Sequence, residues 1–127
     1  MPVVEVGLIQ TIQCQDARCI SLCGRLSIAE TAEVIRRAAF FIGIDSAGAH
    51  MANVWRIPAL LLFGEYRGER AWTPYDGFFA AEPDRWILRH DGPLRGQSAE
   101  NVIARLDGLA RFADRLEAVK QGPLDSA

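Results

Sequence analysis

Four short runs rich in apolar or β-branched residues punctuate the chain: VVEV (Val3–Val6), CISLC (Cys19–Cys23), FFIGI (Phe40–Ile44) and ALLLF (Ala59–Phe63). The first two close on Gly7 and Gly24 and read as buried strands. The third and fourth are apolar on successive rather than alternate positions, the pattern of parallel strands covered on both faces. Between the second and third runs, Ser27 opens SIAE, a capping box with Glu30 three residues on, and Ile28, Ala32, Ile35 and Ala39 recur at helical spacing. A helix of about three turns is expected there. Its polar face carries Glu30, Glu33, Arg36 and Arg37, with Glu33 and Arg37 at the favourable i,i+4 spacing. Ser46 to Trp55 fits a second, shorter helix that Pro58 keeps from continuing. Strand, helix and strand in succession predict a right-handed βαβ unit.

Beyond Phe63 the pattern breaks. Residues Gly64 to Arg85 are rich in Gly, Pro, aromatics and charge without a period, and read as a long surface loop of the kind that carries function. RWILRH (Arg85–His90) reads as a last strand, and DGPLRGQS as a turn that leads to Ser98 as an N-cap. Val102, Leu106, Leu109, Ala113, Leu116 and Val119 then mark a long amphipathic helix, and the tail from residue 121 to 127 is expected to fray. With no internal repeat, low-complexity segment or linker, residues 1–127 read as one α/β, Rossmann-like domain: a parallel sheet with flanking helices.

Composition narrows the function classes. Half of the 127 residues are hydrophobic, enough for the core of one modest domain. A net charge of −2 and the lack of a Lys/Arg cluster argue against nucleic acid as a partner. No apolar run approaches the length of a membrane span, and MPVVEVGLIQ has neither a basic n-region nor a cleavage site, so a cytoplasmic location is expected. Cys14, Cys19 and Cys23 are odd in number and bunched, which predicts reduced thiols, and their spacing does not suit zinc. No metal is expected, and neither His50 nor His90 can be paired with a cysteine from sequence.

The chemistry concentrates where the third run ends. Asp45 and Ser46 fall at the switch from strand to helix, with Ala47, Gly48 and Ala49 behind them and His50 about one turn further. In open α/β sheets ligands bind at the carboxyl ends of strands, and a helix N-terminus offers amide groups to an anion. Small residues let a ligand come close to the backbone, so a diphosphate is the natural guest, with His50 as a donor to its oxygens. Asp45 would repel a phosphate. It suits a helix cap or the hydroxyls of a sugar. Taken singly, Asp45 and Ser46 also fit plain N-caps and His50 a structural histidine.

The segment from Leu22 to Gly64, LCGRLSIAETAEVIRRAAFFIGIDSAGAHMANVWRIPALLLFG, resembles the nucleotide-sugar-binding domain of the glycosyltransferase family 9 enzymes, the heptosyltransferases of lipopolysaccharide synthesis and their relatives. The family pattern is a Gly, a Ser-initiated helix, a hydrophobic strand ending in Asp-Ser/Thr-Gly-x-x-His, a small-residue helix, and a Pro-led strand ending in Phe-Gly. The resemblance implies a GT-B architecture, with this chain as part of the C-terminal, donor-binding domain. It implies transfer of a sugar from a nucleotide diphosphate donor, ADP-sugar by preference, to a glycan or lipid-linked acceptor, with inversion and without an obligatory metal or other cofactor. Asp45, Ser46 and His50 match the family's residues around the donor diphosphate and sugar, with Ala47 and Gly48 at the small positions. Leu26 matches a position near the base. Arg67 and Arg70 could add phosphate contacts, although solvated loop charges are the simpler reading, and Tyr66, Trp72 and Tyr75 could wall the sugar or base or simply cover the sheet edge. The resemblance assigns no catalytic residue here.

Two departures stand out. Ala47 occupies the position of the family's usual Gly, with Gly48 one place later. The family's acceptor domain, catalytic base and first donor-domain strand have no counterpart in the chain, which therefore reads as a fragment. A sheet without that strand would expose an apolar edge, and self-association through it is expected. A family enzyme would act at the inner face of the membrane. The alternative is a non-catalytic nucleotide-binding or assembly module. A dehydrogenase-like binder ranks last, because no GxGxxG follows a strand.

Overall fold

A computed structural model describes residues 2–70 and 73–120, excluding the side-chain surroundings of residues 69, 70, 112, 113 and 115–120. The expectations for Trp72, the Arg70 side chain, Ala113, Leu116, Val119 and the tail lie outside the described residues. The elements run β1 (Val3–Glu5), β2 (Cys19–Ser21), α1 (Ile28–Arg36), β3 (Phe41–Ile44), α2 (Ala47–Val54), β4 (Ala59–Tyr66), β5 (Glu69–Arg70), α3 (Phe78–Ala81), α4 (Pro83–Trp86), β6 (Ile87–Pro93), a 3-10 turn (Leu94–Gly96) and α5 (Ala99–Lys120).

The fold is α/β, Rossmann-like, with parallel strands and flanking helices. β1 and β2 pair in parallel as a two-stranded sheet, Val3 opposite Cys19. In the larger sheet β4 is central, with β3 parallel on one side and β6 parallel on the other. Strand β4 is nearly all apolar and is buried from Ala59 to Leu61 and again at Phe63. Helix α2 links β3 to β4, the predicted βαβ connection, and α1 packs against it.

Local chemistry sets the helix limits. Ser27 and Glu30 form the capping box in both directions, at 3.1 and 3.0 Å. Glu33 pairs with both Arg36 and Arg37 at 2.7 Å, which brings its carboxyl down to about 2. Helix α2 ends at Val54, before Pro58 can act. Arg56 takes a left-handed φ of 54°, and the Ile57 amide returns to the Ala52 carbonyl at 2.9 Å. Ser98 caps α5 through the Asn101 amide, and Val102, Leu106 and Leu109 turn to the core.

Several expectations change. β1 and β2 are not buried: Val3, Val4 and Ile20 are exposed, and the segment from Gln10 to Cys14 that lies against the two strands is itself exposed. β3 is covered on one face only. Phe41 and Gly43 face α2, while Ile42 and Ile44 remain 50% and 54% exposed. An apolar run does not reveal whether a second layer lies over it. Ile28 shares the helical stripe of Ile35, yet it lies in the first turn of α1 and is 80% exposed. The helix also ends before Ala39.

The supposed loop from Gly64 to Arg85 contains structure. β4 runs on to Tyr66 and turns through Arg67 and Gly68, whose φ values of 53° and 79° suit a two-residue hairpin, into β5. Then come α3 and α4, too short to show a period, which bury Phe79 and Trp86. Pro83 starts α4, so Arg85 and Trp86 are helical and the last strand begins at Ile87.

The cysteine expectation is overturned as well. Cys14 and Cys19 form a disulfide, their Cα atoms 6.1 Å apart, and only Cys23 is free. Sequence spacing could not show the turn responsible. Asp16 accepts from the Arg18 amide at 2.9 Å, and its carbonyl from the Cys19 amide at 2.9 Å, folding Cys19 back toward Cys14.

Candidate functional site

The site forms where β3 ends. The backbone of Ser46 is extended, and its hydroxyl accepts from the Ala49 amide at 3.4 Å, so Ser46 is the N-cap of α2. That frees Asp45 from capping. Its carboxylate turns instead toward two side chains from different parts of the chain. The Tyr75 hydroxyl donates to Asp45 Oδ1 at 3.4 Å, and His50 Nε2 lies 3.8 Å from the same oxygen. The His50 and Tyr75 rings are 4.9 Å apart, centroid to centroid, at 52°. Asp45 and His50 are about half exposed, at 49% and 50%, whereas Tyr75 is 5% exposed.

Burial, reinforced by the Asp45 charge, pushes the Tyr75 hydroxyl well above the ordinary phenol range. Tyr75 is therefore a neutral donor at any physiological pH. Beside them the first-turn amides of α2 at Ala47 and Gly48 project from the helix N-terminus, where the helix dipole favours an anion. Anion-binding amides, a half-exposed imidazole and a half-exposed carboxylate thus share one corner at the carboxyl end of β3.

The predicted residues divide. Asp45, Ser46, Ala47 and His50 come together at this corner. Ala47 is exposed, and its φ is not positive, so alanine in the family's glycine position creates no backbone strain. Gly48 also has a packing role. A Cβ there would lie 3.2 Å from the Phe41 ring and 3.6 Å from Ile35, so glycine lets α2 sit on β3. Leu26 is half buried just ahead of the α1 cap. Arg67 sits at the β4–β5 hairpin tip with its guanidinium 5.3 Å over the exposed Tyr66 ring, a position set by the turn. Among the described residues no group of three or more His, Cys, Asp or Glu side chains could hold a metal ion. No described helix is long and apolar enough to cross a membrane.

Sequence reasoning missed Asn53 and Arg89 and gave Tyr75 the role of a wall or of a cover on the sheet edge, not of a partner for Asp45. Asn53 Nδ2 donates to the Asp76 carbonyl at 2.7 Å, and its Oδ1 accepts from the Phe79 amide at 2.8 Å. Arg89 donates to Thr73 Oγ1. The signal for Asn53 was an amide late in an otherwise apolar helix, a position that propensity disfavours.

The family model of glycosyltransferase family 9 (heptosyltransferase) matches residues 5–77, a span that holds Asp45, His50 and Tyr75 alike. The chain belongs to glycosyltransferase family 9. This family 9 chain is similar to a lipopolysaccharide heptosyltransferase 3 of Escherichia coli, 39% identical over an alignment of 99 residues that covers 76% of this chain and 29% of the relative. It is also similar to the lipopolysaccharide heptosyltransferase 3 of Escherichia coli strain K12, 32% identical over 114 residues, 80% of this chain and 33% of the relative. The family 9 chain thus spans about a third of the length of these curated relatives. No solved structure gives a significant match.

Proposed function

We propose that this chain is the donor-binding portion of a sugar transferase of GT-B architecture, and that a nucleotide diphosphate sugar lies against the N-terminus of α2. The observation that carries this reading is the shared corner of Asp45, His50 and the α2 amides at the carboxyl end of β3. The amides of Ala47 and Gly48 and the His50 imidazole receive the diphosphate, and stabilise it as negative charge grows on the leaving group. The half-exposed carboxylate of Asp45 accepts from sugar hydroxyls, which avoids placing it on a phosphate. By analogy with the names of its relatives, the sugar is a heptose and the acceptor a lipopolysaccharide. ADP is the favoured nucleotide, and the reaction takes place on the cytoplasmic side of the membrane.

Calorimetric titration of the chain with ADP, UDP and GDP, beside His50→Ala and Asp45→Ala, tests the reading. One nucleotide should bind selectively and lose about tenfold in affinity in His50→Ala, as for a charge-assisted hydrogen bond. Binding to none of the three, or equal affinity in both variants, would reject it.

A further inference from the structure

We propose that Tyr75 is the positioning residue of this corner, holding Asp45 and His50 apart so that both face a ligand. The segment from Thr73 to Gly77 is pinned at both ends. At one end Arg89, whose guanidinium lies 5.2 Å over the Phe63 ring, donates to Thr73. At the other the Asn53 side chain holds the Asp76 carbonyl and the Phe79 amide. Between the pins Tyr75 enters the core edge-on to Phe63 and Phe79, with centroid distances of 6.1 and 5.5 Å and interplanar angles of 84° and 86°. A ring clamped in this way fixes the direction of its hydroxyl, and a buried phenol needs a polar partner. Asp45 Oδ1 is that partner.

The consequence lies in a distance. His50 Nε2 stands 3.8 Å from the oxygen that Tyr75 engages, outside hydrogen-bond range. Without the phenol, the histidine would close onto the vacant carboxylate oxygen, and each group would satisfy the other instead of a ligand. The Tyr75 ring also packs against the imidazole, at 4.9 Å between centroids. Tyr75 therefore acts through two residues on α2 and its approach, although the chain separates it from them by a strand and a hairpin.

Tyr75→Phe removes only the hydroxyl, and Tyr75→Leu removes the ring as well. In the ligand-free chain the ¹⁵N signal of His50 Nε2 should move in Tyr75→Phe, as the imidazole closes on Asp45. The His50 ring-proton shifts set by the aromatic ring should survive in Tyr75→Phe and be lost in Tyr75→Leu. An unmoved Nε2 signal in Tyr75→Phe, or ring-proton shifts that persist in Tyr75→Leu, would overturn the proposal. A second arm rests on the reading given under Proposed function: the ADP, UDP or GDP that binds the parent should bind Tyr75→Phe about three- to tenfold more weakly. Equal affinity in that variant would also overturn the proposal. If the parent binds none of the three, the donor reading falls, and the ligand-free signals decide the role of Tyr75 on their own.

Discussion

The chain contains two parallel sheets built on different terms. Around β4 the sheet is held by apolar burial: Leu60, Leu61, Phe79 and Trp86 are nearly or wholly sequestered, and helices cover the sheet. Around β1 and β2, no described residue before Ile35 is buried. That sheet is held by local bonds. The Glu5 carboxylate accepts from the Thr11 amide, the Ile12 amide and the Thr11 hydroxyl at 2.8–3.0 Å, the Asp16–Arg18 turn closes the loop, and Cys14 is tied to Cys19. The difference teaches what strand pairing alone achieves. A ladder and a few surface hydrogen bonds give a shape, but a two-stranded sheet with no buried apolar core gains little independent stability.

The largest test removes apolar volume from each region. Phe79→Ala should cost about 3–5 kcal/mol, the range for a fully buried phenylalanine. Ile20→Ala on β2 should cost about 0.5 kcal/mol, because half-exposed side chains outside a core change stability little. Urea denaturation of both variants measures the contrast. Comparable losses would mean that β1 and β2 belong to the same cooperative core as β4.

A smaller effect should come from Asn53, the polar link within the well-packed region. Asn53→Ala breaks two hydrogen bonds and leaves the Phe79 amide and Asp76 carbonyl without their partner, at about 1–3 kcal/mol. Hydrogen exchange at the Phe79 amide should accelerate more than exchange in β4. A uniform acceleration across the larger sheet would show that Asn53 serves the core as a whole rather than the Tyr75 segment.

What could be read from the sequence follows the same division. Features governed by neighbours along the chain were legible: the Ser27 capping box, the Ser46 and Ser98 caps, the β3–α2–β4 order, and the meeting of Asp45 with His50, which one helical turn guarantees. Features governed by distant packing were not. The half-exposed Ile42 and Ile44 look, in sequence, like any strand covered on both sides. Tyr75 joins Asp45 across a separation of 30 residues that holds α2, β4 and the β4–β5 hairpin, so no local spacing links the two. The Cys14–Cys19 pairing depended on a turn made by the Asp16 side chain.

The two regions should also yield at opposite ends of the pH scale. Glu5 is held below the ordinary glutamate range, first by the Thr11 amide and also by the Ile12 amide and the Thr11 and Ser21 hydroxyls. Its contribution is present above the unfolded-state value and is lost as pH falls through the lowered one. The protection of the Thr11 and Ile12 amides relative to their intrinsic exchange rates should therefore fall in acid while β4 stays protected, and Glu5→Gln should remove that pH dependence. Tyr75 is displaced upward, so its contribution is complete below about pH 10, the ordinary phenol value. Above that pH the unfolded chain releases a proton that the native state retains, and stability falls as pH rises. This loss is global, because Tyr75 sits among the core aromatics, and Tyr75→Phe should flatten it. If alkali instead loosened only the β1–β2 segment while the melting temperature held, Tyr75 would not be coupled to the core, and the contrast between the two regions would fail at the residue that joins core and site.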